Sequence, residues 1–183
     1  MLAGHDVVEE IEQAVMAEFE GCQVTIHLEP REDPRAYIMG LGVPGPTGIF
    51  GTTKGLHDEF GDRILDMPSS ENAMTGVALG TALTKRRPIM VHMRFDFAVL
   101  SMEPLVNQLA KWHYMYGGHM SAPMTIRMIV GRGWGQGPQH SQSLHAWLAH
   151  VPGLKVVMPT TAHDAKGMRI AAHYADCTFY TSD

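Results

Sequence analysis

Six short apolar runs, each parted from the next by room for a helix or a broad loop, constrain the fold of this chain more than any other feature. They lie at 36–40, 63–67, 88–94, 124–130, 154–158 and 177–182. Helical runs fall between them, at about 53–60, 70–84, 101–116, 141–149 and 161–174. Strands buried on both faces read as continuous apolar segments, and parallel neighbours need a crossover between them. The pattern therefore predicts an α/β fold, a doubly wound parallel sheet with helices on both faces.

The polar hinge at 31–34 divides the chain. Before it, Val8, Ile11, Val15 and Phe19 fall at helical spacing, and residues 23–30 alternate polar and apolar as a half-wet strand does. Residues 1–32 are thus read as a helix–strand extension, and 33–183 as the main domain. With 183 residues, 45% hydrophobic and 18% charged, the chain can bury a substantial core. Fourteen methionines suit adaptable packing in it. A net charge of −5 without a basic block excludes nucleic acid and anionic membrane as main partners. No apolar run reaches bilayer-spanning length, and no signal-peptide pattern opens the sequence. Cys22 and Cys177 are too few for a disulfide framework or a zinc site. A cytoplasmic protein is expected.

In a parallel sheet every loop that follows a strand opens on one edge, where ligands of open α/β sheets bind. Glu71 follows the second run, in Pro68-Ser69-Ser70-Glu71-Asn72. It reads either as a functional carboxylate or as a first-turn acid favoured by the helix dipole, with Ser69 or Ser70 as N-cap. The helix behind it carries Ala73, Gly76, Ala78, Gly80 and Ala82, so its backbone can be approached closely. Phe95-Asp96-Phe97 is read as a loop after the third run, and the glycine-rich stretch 131–142 follows the fourth. The latter ends at His140 beside the expected start of a helix. One acid, an aromatic pair and one histidine are expected to converge on one crevice.

Sharper motifs are excluded. Gln136 stands where a dinucleotide fingerprint needs its third glycine, no Walker lysine follows a glycine run, and no nucleophile elbow is present. His140, His145 and His150 are spaced by five, whereas helical metal ligands need three or four. No metal site is assigned.

With these residues in place, 34–183 resembles the beta subunit of thiamine-diphosphate-dependent 2-oxoacid dehydrogenases of the pyruvate type, that is, a pyrimidine-binding transketolase-like domain. The matching runs are Gly51-Thr52-Thr53-Lys54-Gly55-Leu56, Pro68 to Asn72, Phe95 to Phe97, Asn107 to Lys111, Gly137-Pro138-Gln139-His140-Ser141-Gln142, Pro152 to Val157 and Asp164-Ala165-Lys166-Gly167. The resemblance implies that Glu71 hydrogen-bonds the cofactor pyrimidine and favours its imino tautomer, an interaction of the stronger, charge-assisted kind. It implies that Phe97 packs on the pyrimidine face and that His140 serves proton transfer and passage of the acyl group to a lipoyl arm; a pKa near neutrality suits that role. Their plainer readings are a core aromatic and a loop histidine bonded to backbone. The resemblance further implies thiamine diphosphate as the cofactor, shared with an alpha-type subunit that holds the magnesium: the family places the diphosphate-holding Gly-Asp-Gly with its following Asn on that subunit, and none is present here. A hetero-oligomer with that alpha subunit and a lipoyl-bearing acyltransferase is the implied assembly, performing oxidative decarboxylation of a pyruvate-like 2-oxoacid.

The sequence also departs from the family. Gly40-Leu41-Gly42-Val43 stands where a Gly-acid-acid stretch is usual, so an acidic contribution near the cofactor is missing. Ala175, Asp176 and Cys177 occupy the usual monovalent-cation loop, which predicts a weakened ion site. The family continues beyond the place of Asp183 into a second domain, so activity of this chain alone is not expected. The alternative is a truncated, non-catalytic relative that acts as a binding or assembly module. Residues 1–30 weakly resemble the end of the cytoplasmic domain of cation diffusion facilitator transporters, where histidines at the places of His5 and His27, with an acid near Glu29, can bind zinc. The other ligands are missing, and no zinc binding is expected.

Overall fold

Alternation of side chains along the strands divides the core in two. A computed structural model describes residues 33–45, 53–131, 136–158 and 177–182. The N-terminal extension with His5, His27 and Glu29, the helix expected at 161–174, and Ala175 and Asp176 of the cation loop lie outside the described residues. Strands β1 (Ala36–Gly40), β2 (Ile64–Asp66), β3 (Arg87–Val91), β4 (Met124–Ile129), β5 (Lys155–Val157) and β6 (Cys177–Ser182) form one sheet. Their order is β2-β1-β3-β4-β6-β5, and every pairing is parallel. The expected parallel α/β sheet with helices on both sides is what forms.

Because successive residues of a strand point to opposite faces, Met39, Met90, Ile126 and Met128 share one side and Ile38, Ile89 and Val91 the other. The first side is the larger core. There helix α2 (Glu71–Leu83) buries Met74, Ala78, Leu79 and Ala82, and a wider helical stretch over Glu103–Leu109 buries Leu105 and Leu109. That stretch has π-helical hydrogen bonding and continues into α4 (Ala110–Met115); the short α3 (Phe95–Ala98) precedes it. On the second side Ile38, Val43, Ile64 and Val91 pack beneath Leu56 and Phe60 of α1 (Leu56–Phe60). The last described helix is α5 (His145–Ala149). Five methionines (Met39, Met74, Met90, Met124 and Met128) sit in the larger core, where the flexible thioether fills the gaps between small helix residues.

Strands β2 to β5 are shorter than their apolar runs. β3 ends at Val91, although His92 still donates its N–H to Arg127 O at 2.9 Å, and β2 spans three residues. At Gly40, the last residue of β1, an added Cβ would come within 2.2 Å of Val91 O. Only glycine lets β1 and β3 approach this closely at their carboxyl ends.

Candidate functional site

The chain leaves β1 toward β2 and then crosses back past β1 to reach β3. Connections therefore depart in opposite directions between β1 and β3, the kind of switch point outside which open α/β sheets hold ligands. The segments after β1, β2, β3 and β4 supply the residues there. The first two are knitted together: Asp66 Oδ1 accepts the N–H groups of Gly42 (2.7 Å) and Met67 (3.0 Å), and Gly40 O accepts Met67 N–H at 3.1 Å. The acid-free stretch after β1 thus meets a carboxylate from the neighbouring strand, already engaged by backbone.

Glu71 is the first residue of α2. Ser70 is the N-cap, but its hydroxyl makes no capping bond; only its carbonyl enters the helix, accepting from Met74 N–H at 2.8 Å. The Glu71 carboxylate is half-buried at the positive end of a 13-residue helix, and no donor among the described residues bonds it. Its main-chain oxygen accepts the Thr75 hydroxyl at 2.8 Å. That spends the single hydroxyl proton, so Nε2 of His92, 3.1 Å from the Thr75 hydroxyl oxygen, is assigned as the protonated ring nitrogen. His92 is 2% exposed, and burial pushes its pKa down to about 4. On its outer face α2 exposes Ala73, Gly76, Val77 and Gly80, and a Cβ added at either glycine would meet nothing within 4 Å.

The residues after β3 form helix α3 rather than the expected loop. Arg94 is extended at its N-cap, and Ala98 N–H reaches back to Arg94 O. The expected aromatic pair is also split, because neighbouring residues of a helix turn to different sides. Phe95 enters the core, 1% exposed, while Phe97 leaves 37% of its surface open. The Phe97 ring meets the His140 imidazole edge to face, with centroids 5.1 Å apart and planes at 72°. The structure therefore brings Phe97 and His140 together. It brings the first turn of α2 against the same segment, where Asn72 Nδ2 donates to Leu100 O at 3.4 Å. Among the described residues no hydrogen bond or ion pair joins the Glu71 carboxylate to the His140 ring.

His140 closes a 3₁₀ turn (Pro138–His140), and α5 begins only at His145, so the histidine does not stand beside a helix start as expected. The cause is tertiary. Gln142 donates its N–H to Asp96 Oδ1 at 3.0 Å and its O accepts Gly131 N–H at 3.0 Å, so this peptide is withdrawn from a helix. Nδ1 of His140 is buried with no partner among the described residues. His145 and His150 begin and cap α5 as ordinary helix residues, and no cluster of metal-ligating side chains exists among the described residues. Nor is any described helix long and apolar enough to cross a membrane.

Sequence reasoning missed Arg94 and Asp96, which are 2% and 5% exposed. Arg94 Nη2 donates to Gly131 O at 3.1 Å and to His140 O, and Arg94 Nε lies 3.4 Å from Asp96 Oδ2. Two opposite charges flanking an aromatic in Arg94-Phe95-Asp96-Phe97 were the available signal, since charges are seldom buried unless paired.

A parallel sheet with a switch point, an acid heading the helix after one strand and a Phe–His ring pair from the segments after two others together define a class. The family model for the transketolase pyrimidine-binding domain matches residues 16–179, and the chain belongs to this family. Among curated proteins it is 41% identical over 157 residues to the beta subunit of acetoin:2,6-dichlorophenolindophenol oxidoreductase of Cupriavidus necator, covering 80% of this chain and 46% of that protein. It is 41% identical over 162 residues to the pyruvate dehydrogenase E1 component subunit beta of Rhizobium meliloti, covering 88% of this chain and 35% of that one. A mitochondrial pyruvate dehydrogenase E1 subunit beta-2 of Oryza sativa is 41% identical over 145 residues, 79% of this chain and 39% of its own length. The chain thus spans less than half the length of these relatives. Among solved structures, a split-gene transketolase described as an inactive beta4 tetramer superposes with a TM-score of 0.64 at 19% identity, over 83% of this chain and 45% of that one, a likeness of fold.

Proposed function

We propose that this chain is the beta-type component of a 2-oxoacid dehydrogenase and supplies the pyrimidine half of a thiamine diphosphate site shared with an alpha-type subunit. The observation that carries this reading is the arrangement at the switch point. A half-buried carboxylate with no donor of its own among the described residues heads α2, and an open aromatic face packs against a histidine whose Nδ1 lacks a described partner. These groups fit the pyrimidine: Glu71 is an available acceptor for a ring N–H, Phe97 offers a stacking face, and the buried Nδ1 of His140 is free to take or give a proton. When bound, the cofactor supplies a stabilised carbanion equivalent for decarboxylation. Glu71 orients the pyrimidine and holds its proton on the ring. Phe97 excludes water from one face, and His140 moves protons near the reacting carbon. The diphosphate and its magnesium are held by the alpha subunit, and a pyruvate-like 2-oxoacid with acyl transfer to a lipoyl-bearing acyltransferase completes the reading.

The test is co-expression with alpha-type subunits and an assay of 2-oxoacid-dependent reduction of an artificial electron acceptor. Activity that is lost in Glu71→Ala supports the proposal. Absence of a complex with any alpha subunit supports instead a non-catalytic binding or assembly module, a reading favoured by the acid-free stretch after β1.

A further inference from the structure

We infer that Arg94 and Asp96 are positioning residues: a buried charged clasp that closes the base of the 131–142 segment and thereby sets His140 against Phe97. The role rests on the functional reading above, but its geometry does not. Both residues are buried and belong to the turn that carries Phe97, so neither offers a group to a ligand in the crevice. All the described bonds of their side chains run to one another or across to the far segment. Arg94 reaches the carbonyls of Gly131 and His140, one near each end of that segment, and Asp96 Oδ1 takes both the main-chain N–H and the side-chain amide of Gln142, at 3.0 and 3.1 Å. Gly131 N–H to Gln142 O, 3.0 Å, joins the two ends directly.

The chemistry explains why charged residues serve here. A guanidinium can bond several carbonyls that converge from different directions, and a carboxylate can accept several N–H groups at once. Neither role passes to an apolar pair, and two charges at this depth persist only because each compensates the other. The bond to His140 O and the Phe97–His140 ring contact lie within four residues of Arg94 on one side and on a single residue on the other. The imidazole therefore has little freedom to move relative to the Phe97 ring.

The test uses the full chain and three readouts: amide exchange at Gln142 and Gly131, amide exchange in β3 and β4, and the His140 ring proton shift, which the Phe97 ring current displaces. Phe97→Leu gives the shift without the ring. In Asp96→Ala the Gln142 amide is expected to exchange about 10- to 100-fold faster while β3 and β4 keep their protection, and the His140 shift moves toward its Phe97→Leu value. Asp96→Asn, which retains an acceptor oxygen, should restore most of both. If Asp96→Ala does not fold, Arg94→Lys is read in the same way, with His140 as the reporter. Wild-type exchange and shift in these variants, or loss of protection spread evenly over the core strands, would overturn the inference. In an active complex with an alpha subunit, Asp96→Ala should lower kcat about 10- to 100-fold at little-changed KM, as small misplacements of a catalytic group do. An inactive wild-type complex would sink the functional reading and leave the exchange and shift results to decide the clasp.

Discussion

Nε2 of His92 lies 3.1 Å from the Thr75 hydroxyl, which itself donates to the main-chain oxygen of Glu71. A buried imidazole at the end of β3 is thus tied, through one hydroxyl, to the first turn of the helix that presents the candidate catalytic carboxylate. The folded chain holds this histidine neutral, because burial lowers its pKa from 6.5 to about 4. The unfolded chain takes up a proton near pH 6.5 while the folded chain does not until about pH 4. Stability is therefore undiminished by this group above about pH 6.5 and is lost progressively as pH falls from there to about 4. Between pH 7 and pH 5 the wild type should lose on the order of 2 kcal/mol more than His92→Phe, measured by urea unfolding at each pH. Equal slopes for the two proteins would contradict the assignment.

Phe97 should matter more to cofactor affinity than to folding. Its ring is over a third exposed and touches His140 rather than the core. In a complex with an alpha subunit, Phe97→Ala is expected to weaken thiamine diphosphate binding about tenfold, the loss of one aromatic stacking contact. Phe95→Ala removes a wholly buried ring and should instead cost stability, about 3–5 kcal/mol. Calorimetric titration and thermal unfolding of the two variants separate the effects.

Asp33 anchors the start of β1. Hydrogen bonds from the Arg35 side chain, at 2.6 to 3.1 Å, hold its carboxyl down at about 2, with Arg35 N–H and Arg87 adding to the effect. A carboxylate with a lowered folded pKa contributes stability above its unfolded value, near 3.8, that is lost as pH falls through about 2. Since Arg35 is half exposed, solvent screening leaves a contribution of about 1 kcal/mol. Asp33→Asn should show that deficit at pH 7 and close the gap with the wild type at pH 2.

Gly153 has φ +96, and an added Cβ would lie 1.9 Å from Ala110 O. Neither the backbone angle nor the neighbouring main chain can yield cheaply. Gly153→Ala is expected to destabilise by at least 2 kcal/mol, whereas Gly76→Ala, which meets nothing, should stabilise α2 by about 0.5–1 kcal/mol. Chemical denaturation of the pair checks both signs.

Much of the fold was legible in the sequence because local pattern and global order agree. The limits of β1 and β6 coincide with their apolar runs, and alternation along β1, β3 and β4 already divides the residues between two faces. Glu71 could be placed because a strand and a helix signal meet at it. Other features were settled by contacts that no window of sequence contains. Phe95 and Phe97 are equivalent in composition, and only the pitch of α3 against the sheet sends one into the core. His140 was expected beside a helix start, but an acid 46 residues away in sequence takes the Gln142 peptide first. Arg94 and Asp96 escaped notice for the same reason: in the sequence they are ordinary charges, and their partners lie 37 to 46 residues distant.

The missing side chain at Gly40 also acts as a gauge. With no Cβ between them, the ends of β1 and β3 are drawn together at the switch point, and Gly40 O is left to receive Met67 from the next connection. At the switch point the two strand ends consequently stand as near one another as backbone allows, and any added bulk must be met by moving the segments that follow them. A single methyl at position 40 would act as a wedge, prising the two strand ends apart and displacing the segments that lead to Glu71 and Phe97.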